Sequence, residues 1–374
     1  MLLRTVLRSL GSWVAAILLL LSLALAPSQS LASSKQLSSG PQMLHPRAAH
    51  TATTLADGRV FIAGGCTADS CDLTADGATT EIFVPAQNAF VASPVLGTPR
   101  VSHAALRLAD GRVLLIGGWT PDGPAASTEM FDPATNAVSP GPEMGSPRAD
   151  AVVALLANGQ VLIAGGYDGE SALASAEMYD PVTNTMSPTG AMTTARTSHA
   201  GVTLADGRIL IMGGSDREGH VVAGAELFDP ATGTFVPTGS MAAARYKFGA
   251  ALLGNGRALV AAGTDERDAG GAMRSTEIYD PASGAFQDGP PLLHARYKIA
   301  GSLVALPGER VLIAGGADEV ELVAPMGSEQ LEPPLKAALS FPTASLLADG
   351  RVLITGGYDP ALRVSNQTWL YQPG

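Results

Sequence analysis

Three histidines, His50, His103 and His199, each stand three residues after an arginine, at Arg47, Arg100 and Arg196. Imidazole is the commonest protein metal ligand and the side chain that titrates nearest neutral pH, so a metal centre is the first chemistry to weigh. The three belong to separate copies of one repeated segment, however, and are read as repeat residues; neither a metal nor a cofactor is expected. Six arginines recur with glutamates in a fixed order, pairing Arg47 with Glu81, Arg100 with Glu129, Arg148 with Glu177, Arg196 with Glu226, Arg245 with Glu277 and Arg296 with Glu321. A seventh copy carries Leu339 and Trp369 at the two positions. Losing both charges together is what a buried ion pair predicts, because breaking one side alone strands the other. These are read as structural ion pairs. Cys66 and Cys71 lie close together in a Gly/Asp/Ser/Thr-rich stretch and are read as a local disulfide. The residues best suited to a ligand are aromatic and cationic: Tyr246-Lys247, Tyr297-Lys298, and Trp119, Tyr167 and Tyr358 after paired glycines. Aromatic faces beside polar groups suit protein hot spots or stacking on sugar rings. Aspartates such as Asp168, Asp216, Asp265, Asp318 and Asp359 recur second after a glycine pair and are read as turn formers. No acid–base pair stands apart from the repeats, so no catalytic residue is assigned.

The elements that must position these groups come from a unit repeating at about forty-eight residues, a period that signals a propeller or an array. Its clearest part is a hairpin ending in small residues, as in ADGRVFIAGG to Gly65, ADGRVLLIGG to Gly118, ANGQVLIAGG to Gly166, ADGRILIMGG to Gly214, GNGRALVAAG to Gly263, GERVLIAGG to Gly316 and ADGRVLITGG to Gly357. Asp-Gly or Asn-Gly between apolar runs predicts a tight type I′ hairpin turn. A third strand follows (TEMFDP, AEMYDP, AELFDP, TEIYDP and variants), then a fourth leading into Met-x-x-x-Arg. Four strands make a blade, and seven copies make seven blades. The sequence stops after the third strand of the last copy, while QLSSGPQMLHPR at 36–47 reads like a fourth strand. The expected fold is therefore an all-β, seven-bladed propeller whose last blade is completed by the N-terminal segment, since an open ring would leave unpaired edges.

The hairpin copies resemble the kelch repeat family, and in the form Asp-Gly-Arg-Val-Leu-Ile-x-Gly-Gly they are most similar to the repeats of the galactose oxidase propeller. That resemblance implies either a binding module, a sugar-processing enzyme or a copper oxidase scaffold. A copper radical site of this family would need a Tyr-His pair after the repeat arginine and a tyrosine linked to a cysteine. Here Ala49, Ser102 and Ser198 precede the three histidines and both cysteines fall in one loop, so copper oxidation is not expected.

The N-terminus carries Arg4 and Arg8, an apolar run from Trp13 to Ala26, and Ser30-Leu31-Ala32. This is the pattern of a secretory signal peptide, too short an apolar run for a membrane span. The expected organisation is residues 1–32 as signal peptide and 33–374 as propeller, with a secreted or extracytoplasmic location in the periplasm or at the cell surface. The formal charge of −11, or −13 without Arg4 and Arg8, argues against nucleic acid, which needs clustered cations. The expectation is a monomer, free of membrane once the signal is cleaved, that binds a protein or glycan through the variable loops of one face without catalysis. The alternative is a carbohydrate-active enzyme, epimerase-like or oxidase-like, with a pocket at the channel mouth. A concave surface around Tyr246, Lys247, Tyr297 and Lys298 would favour the second, a flat rim the first.

Overall fold

A computed structural model describes residues 36–373 apart from 72 and 74; the signal peptide proposed for residues 1–32 lies outside the described residues. Residues Gln36–Gln372 form one unit of seven four-stranded antiparallel sheets arranged as blades of a β-propeller. Blade 1 comprises Thr51–Thr54, Val60–Ala63, Thr80–Val84 and Ala89–Ser93, from the innermost strand outward. Blades 2 to 6 repeat this order over 104–140, 152–188, 200–237, 249–288 and 303–331. Blade 7 takes Thr343–Leu346, Val352–Thr355 and Thr368–Gln372 from the C-terminal part and its outer strand, Gln36–Ser39, from the N-terminal part. The seam registers Gln36 with Gln372 and Ser39 with Trp369, and Leu37 and Met43 are buried behind it.

The second strands are apolar on both faces because blades cover them on both sides: Val60–Ala63, Val113–Ile116, Val161–Ala164 and their counterparts are buried, save the half-buried Arg310 that opens the strand in blade 6. The hairpins between first and second strands differ from the expected type I′ turn. In blade 1, Leu55 N donates to Arg59 O and Gly58 N to Leu55 O, and only Gly58 of the turn has positive φ (84°). This is a type I turn followed by a left-handed glycine bulge. The reason is the aspartate, whose carboxylate receives the N–H of Arg59 at 3.1 Å and its Nε at 2.7 Å; that side-chain bond replaces the second left-handed residue.

The paired glycines join one blade to the next. The second glycine of every blade donates its N–H to the carbonyl at the repeat arginine position of the following blade: Gly65 to Arg100, Gly118 to Arg148, Gly166 to Arg196, Gly214 to Arg245, Gly263 to Arg296, Gly316 to Leu339, and Gly357 back to Arg47. Both glycines have positive φ in blade 3, 66° at Gly165 and 97° at Gly166. A Cβ on Gly165 would sit 2.7 Å from Arg196 O and from the ring of His199, so the contact between blades needs a residue without one.

Candidate functional site

In blades 1 to 6 the repeat arginine is buried and ties the incoming chain to the third strand. The Arg47 guanidinium donates to Glu81 Oε1 at 2.9 Å and to the carbonyls of Gly64 at 2.6 Å and Thr79 at 3.1 Å. Glu81 also receives the N–H of Leu44 at 2.7 Å. The equivalent distances are 2.8 Å for Arg100–Glu129, 2.9 Å for Arg148–Glu177, 3.3 Å for Arg196–Glu226, 2.8 Å for Arg245–Glu277 and 2.6 Å for Arg296–Glu321. Burial draws Arg47, Arg196 and Arg245 below the usual guanidinium pKa, against the raising effect of their glutamates. With every donor turned into the blade, these arginines are not offered to a ligand. In blade 7, Leu339 and Trp369 lie buried in one apolar cluster.

The histidines reach into the preceding blade. His50 Nε2 lies 2.8 Å from Thr355 Oγ1 and 3.1 Å from Thr343 Oγ1, and His103 Nε2 lies 2.9 Å from Thr51 Oγ1. The buried His199 ring has no side-chain partner, and the backbone of Ala164 is the one hydrogen-bonding group that acts on it. Burial, then the neighbouring arginine charge, holds His103 and His199 down to about 3 and His50 well below its ordinary value. Three neutral rings apportioned among three blade junctions do not make a donor set for copper or another cation. Among the described residues the one cluster of three such donors is Asp216, Glu218 and His220 on a loop, where Asp216 Oδ1 already receives the N–H of Glu218 and of His220 and closes a turn. Asp168, Asp265 and Asp359 make similar bonds to backbone N–H groups two residues on.

The residues between the repeat arginine and the histidine position form a ring around the channel mouth. Ala49, Ser102, Asp150, Ser198, Lys247, Lys298 and Phe341, one from each blade, all have φ between 49° and 59°. Their backbones are hydrogen-bonded in succession: Ser102 N to Ala49 O, Asp150 N to Ser102 O, Lys247 N to Ser198 O, Lys298 N to Lys247 O, Phe341 N to Lys298 O and Ala49 N to Phe341 O. Inside this ring lies a cavity of about 300 Å³ lined by all seven, by His50, His103 and His199, and by Ala300, Gly301 and Pro342. Next to it, sharing His199, Ala300 and Gly301, is a second cavity of about 230 Å³ lined by Val152, Gly201, Gly249 and Leu303, where a Cβ on Gly201 or Gly249 would collide with the Val152 or Leu303 side chain. The carboxyl of Asp150 is pushed up to about 6 by burial, with Lys247 and a hydrogen bond from Ser102 acting in the opposite direction.

Of the residues singled out as ligand-binding, Lys247 and Lys298 line the cavity. Lys247 Nζ is 3.0 Å from Asp268 Oδ1 and 4.6 Å from the centre of the Tyr246 ring, and Lys298 Nζ is 4.9 Å from the centre of the Tyr297 ring. Both tyrosines are thus seats for their lysines. Trp119 and Tyr167 form a separate half-buried pair, ring centres 5.7 Å apart. Tyr358 was expected to add aromatic surface and does not: it is 8% exposed, covered by the loop that the Cys66–Cys71 disulfide closes, in a cluster with Ala48, Cys66 and Val101. Sequence reasoning missed Asp150, Ser102, Ser198 and Phe341. All three positions after the repeat arginine vary from blade to blade, so variability alone did not single this one out; the common left-handed backbone does.

A sequence profile of the Kelch motif matches residues 100–145, 150–187 and 196–242, which are blades 2, 3 and 4. Among solved structures, a fungal alcohol oxidase of the AA5 family in complex with copper is similar at a TM-score of 0.72 and 16% identity, covering 90% of this chain and 76% of that one. At that identity the likeness is one of fold. No curated protein matches the chain significantly.

Proposed function

We propose that this chain, a seven-bladed kelch-repeat β-propeller, is an exported binding module that takes a glycan into the mouth of its central channel. The observation that carries a glycan over a protein partner is the concavity, which serves the sugar-processing alternative equally well: Lys247 and Lys298 border a recess rather than a flat rim, with polar groups from Asp150, Ser102 and Ser198 facing an apolar wall of Phe341 and Pro342. Such a mixture, at the small end of the volumes typical of small-molecule sites, suits the end of a sugar chain better than the broad, flat contact of a protein partner. The Trp119–Tyr167 pair on the same face offers a stacking surface for further sugar units. The apolar leader and the disulfide between the chain's two cysteines support export, and no described helix is long and apolar enough to cross a membrane. A glycan-array screen of purified residues 33–374 beside Phe341→Ala tests the reading. Selective binding lost in the variant is expected; no glycan bound would return a protein partner to the lead.

One observation favours a second reading, a sugar-processing enzyme. Asp150, held at about 6 in the same recess as Lys247, has the properties of a group that exchanges protons near neutral pH. Conversion of an array-positive sugar, followed by proton NMR and abolished in Asp150→Asn, would establish it.

A further inference from the structure

The chain has four lysines, and two of them occupy adjacent places in the channel-mouth ring, joined by the bond from Lys298 N to Lys247 O at 2.8 Å. Lys247 is neutralised in part by Asp268 at 3.0 Å. Lys298 forms no ion pair with a carboxylate among the described residues, although the Asp268 charge acts on it from a greater distance; its Nζ rests over the rings of Tyr297 and Phe341, at 4.9 and 5.7 Å from their centres. In a chain of net charge −11 an ammonium seated on aromatic faces at the edge of a cavity is a local reversal of sign. Cation–π contacts hold the position of such a group without cancelling its charge.

The rest of the cavity narrows the anion. Phosphates are gathered by arginine forks and by runs of free backbone N–H groups. Here the six repeat arginines are all committed to glutamates inside the blades, and six of the seven ring N–H groups are spent on neighbouring ring carbonyls. Besides the rings of His50, His103 and His199, which are buried at the blade junctions, what remains is two ammonium groups, one carboxyl at Asp150, the hydroxyls of Ser102 and Ser198, and an apolar wall. A single carboxylate meets the ammonium groups, while ring hydroxyls meet Asp150 and the serines.

We propose that the channel mouth is selective for an acidic sugar, a hexuronate unit whose carboxylate lies between Lys247 and Lys298 while its hydroxyls face Asp150, Ser102 and Ser198. This rests on the glycan reading above. The test is saturation-transfer NMR and calorimetric titration of residues 33–374 with D-glucuronate and D-galacturonate, each against its neutral parent, glucose or galactose, with Lys298→Gln and, as a charge-loss control, Lys336→Gln, whose Nζ bonds Gln367 Oε1 away from the cavity. The expected result is at least a tenfold preference for the acids, lost in Lys298→Gln and kept in Lys336→Gln, with both variants melting like the parent chain. Equal binding of acid and neutral sugars, or a preference that survives Lys298→Gln, overturns the acidic-sugar inference and leaves the glycan reading standing. Displacement of the uronates by equimolar inorganic phosphate overturns it in favour of a general anion site. Binding of no sugar at all overturns both.

Discussion

Replacing Arg148 by leucine isolates what the buried ion pairs do for the propeller. The Arg148 guanidinium donates to the carbonyls of Gly165 and Ser175 and to Ser175 Oγ, all at 2.9 Å, and to Glu177 Oε1 at 2.9 Å from Nη2 and 3.2 Å from Nε. Leucine removes all five bonds and leaves the Glu177 carboxylate, 6% exposed, with the Gly145 N–H at 2.6 Å as its remaining donor. Stranding one partner of a buried pair costs about 3–5 kcal/mol, whereas replacing both by apolar groups is often close to neutral. Arg148→Leu is therefore expected to lose about 3–5 kcal/mol. The pair Arg148→Leu/Glu177→Leu, which approaches the apolar arrangement of Leu339 and Trp369, should lose at least about 2 kcal/mol less than the sum of its single variants. Urea denaturation of residues 33–374 followed by tryptophan fluorescence gives the four stabilities of the cycle. A loss under about 1 kcal/mol in Arg148→Leu, or single losses that simply add, would refute the reasoning.

Deleting residues 33–46 removes the outer strand of blade 7 and the buried side chains of Leu37 and Met43, each worth roughly 2 kcal/mol; the thermal midpoint is expected to fall, and an unchanged calorimetric midpoint would show that the seam does not hold the ring. His199 is held at about 3 against an ordinary 6.5, so the native state binds fewer protons than the unfolded one between those values. Its contribution is present above 6.5 and is lost as pH falls toward 3, at up to about 1.4 kcal/mol per pH unit. His199→Phe, which copies Phe248 at the same place in blade 5, should flatten that acid limb in urea titrations at pH 7, 5 and 4 without lowering stability at pH 7; parallel acid loss in both proteins would exclude His199 as the source. Gly213→Ala places a Cβ 2.7 Å from Arg245 O and from the Phe248 ring at a φ of 62°, and a loss of about 2 kcal/mol is expected from strain and contact together; a denaturation midpoint equal to that of the parent would mean that blades 4 and 5 can move apart.

The sequence exposed whatever is repeated, because repetition averages out local ambiguity. Seven copies of one hairpin set the blade count, and the matched positions of Arg47 and Glu81, Arg100 and Glu129 named partners about thirty residues apart in the chain. The joint change at Leu339 and Trp369 located the exception. The site is harder to read for the opposite reason: it is built from one of several positions where the repeats disagree. Ala49, Ser102, Asp150 and Phe341 share no chemistry, and only the common left-handed backbone and the closing of the ring bring them to one mouth. Tyr358 shows the other limit. An aromatic after a glycine pair is exposed or buried according to the loop beside it, and that depends on the disulfide-closed segment of blade 1, far away in sequence.

Blade 7 is where the two ends of the chain meet, and it alone lacks the arginine–glutamate pair. Ser39 of the closing strand lies beside Trp369, at the place where the other blades carry glutamate. In the other six blades all four strands are consecutive in the chain. Blade 7 has to stand three-stranded until a segment more than three hundred residues away returns to it. Leu339 and Trp369 belong to the same C-terminal stretch and can pack before that return, so what the closing strand adds is cover: Leu37 joins their apolar cluster and the free edge of Thr368–Gln372 is paired.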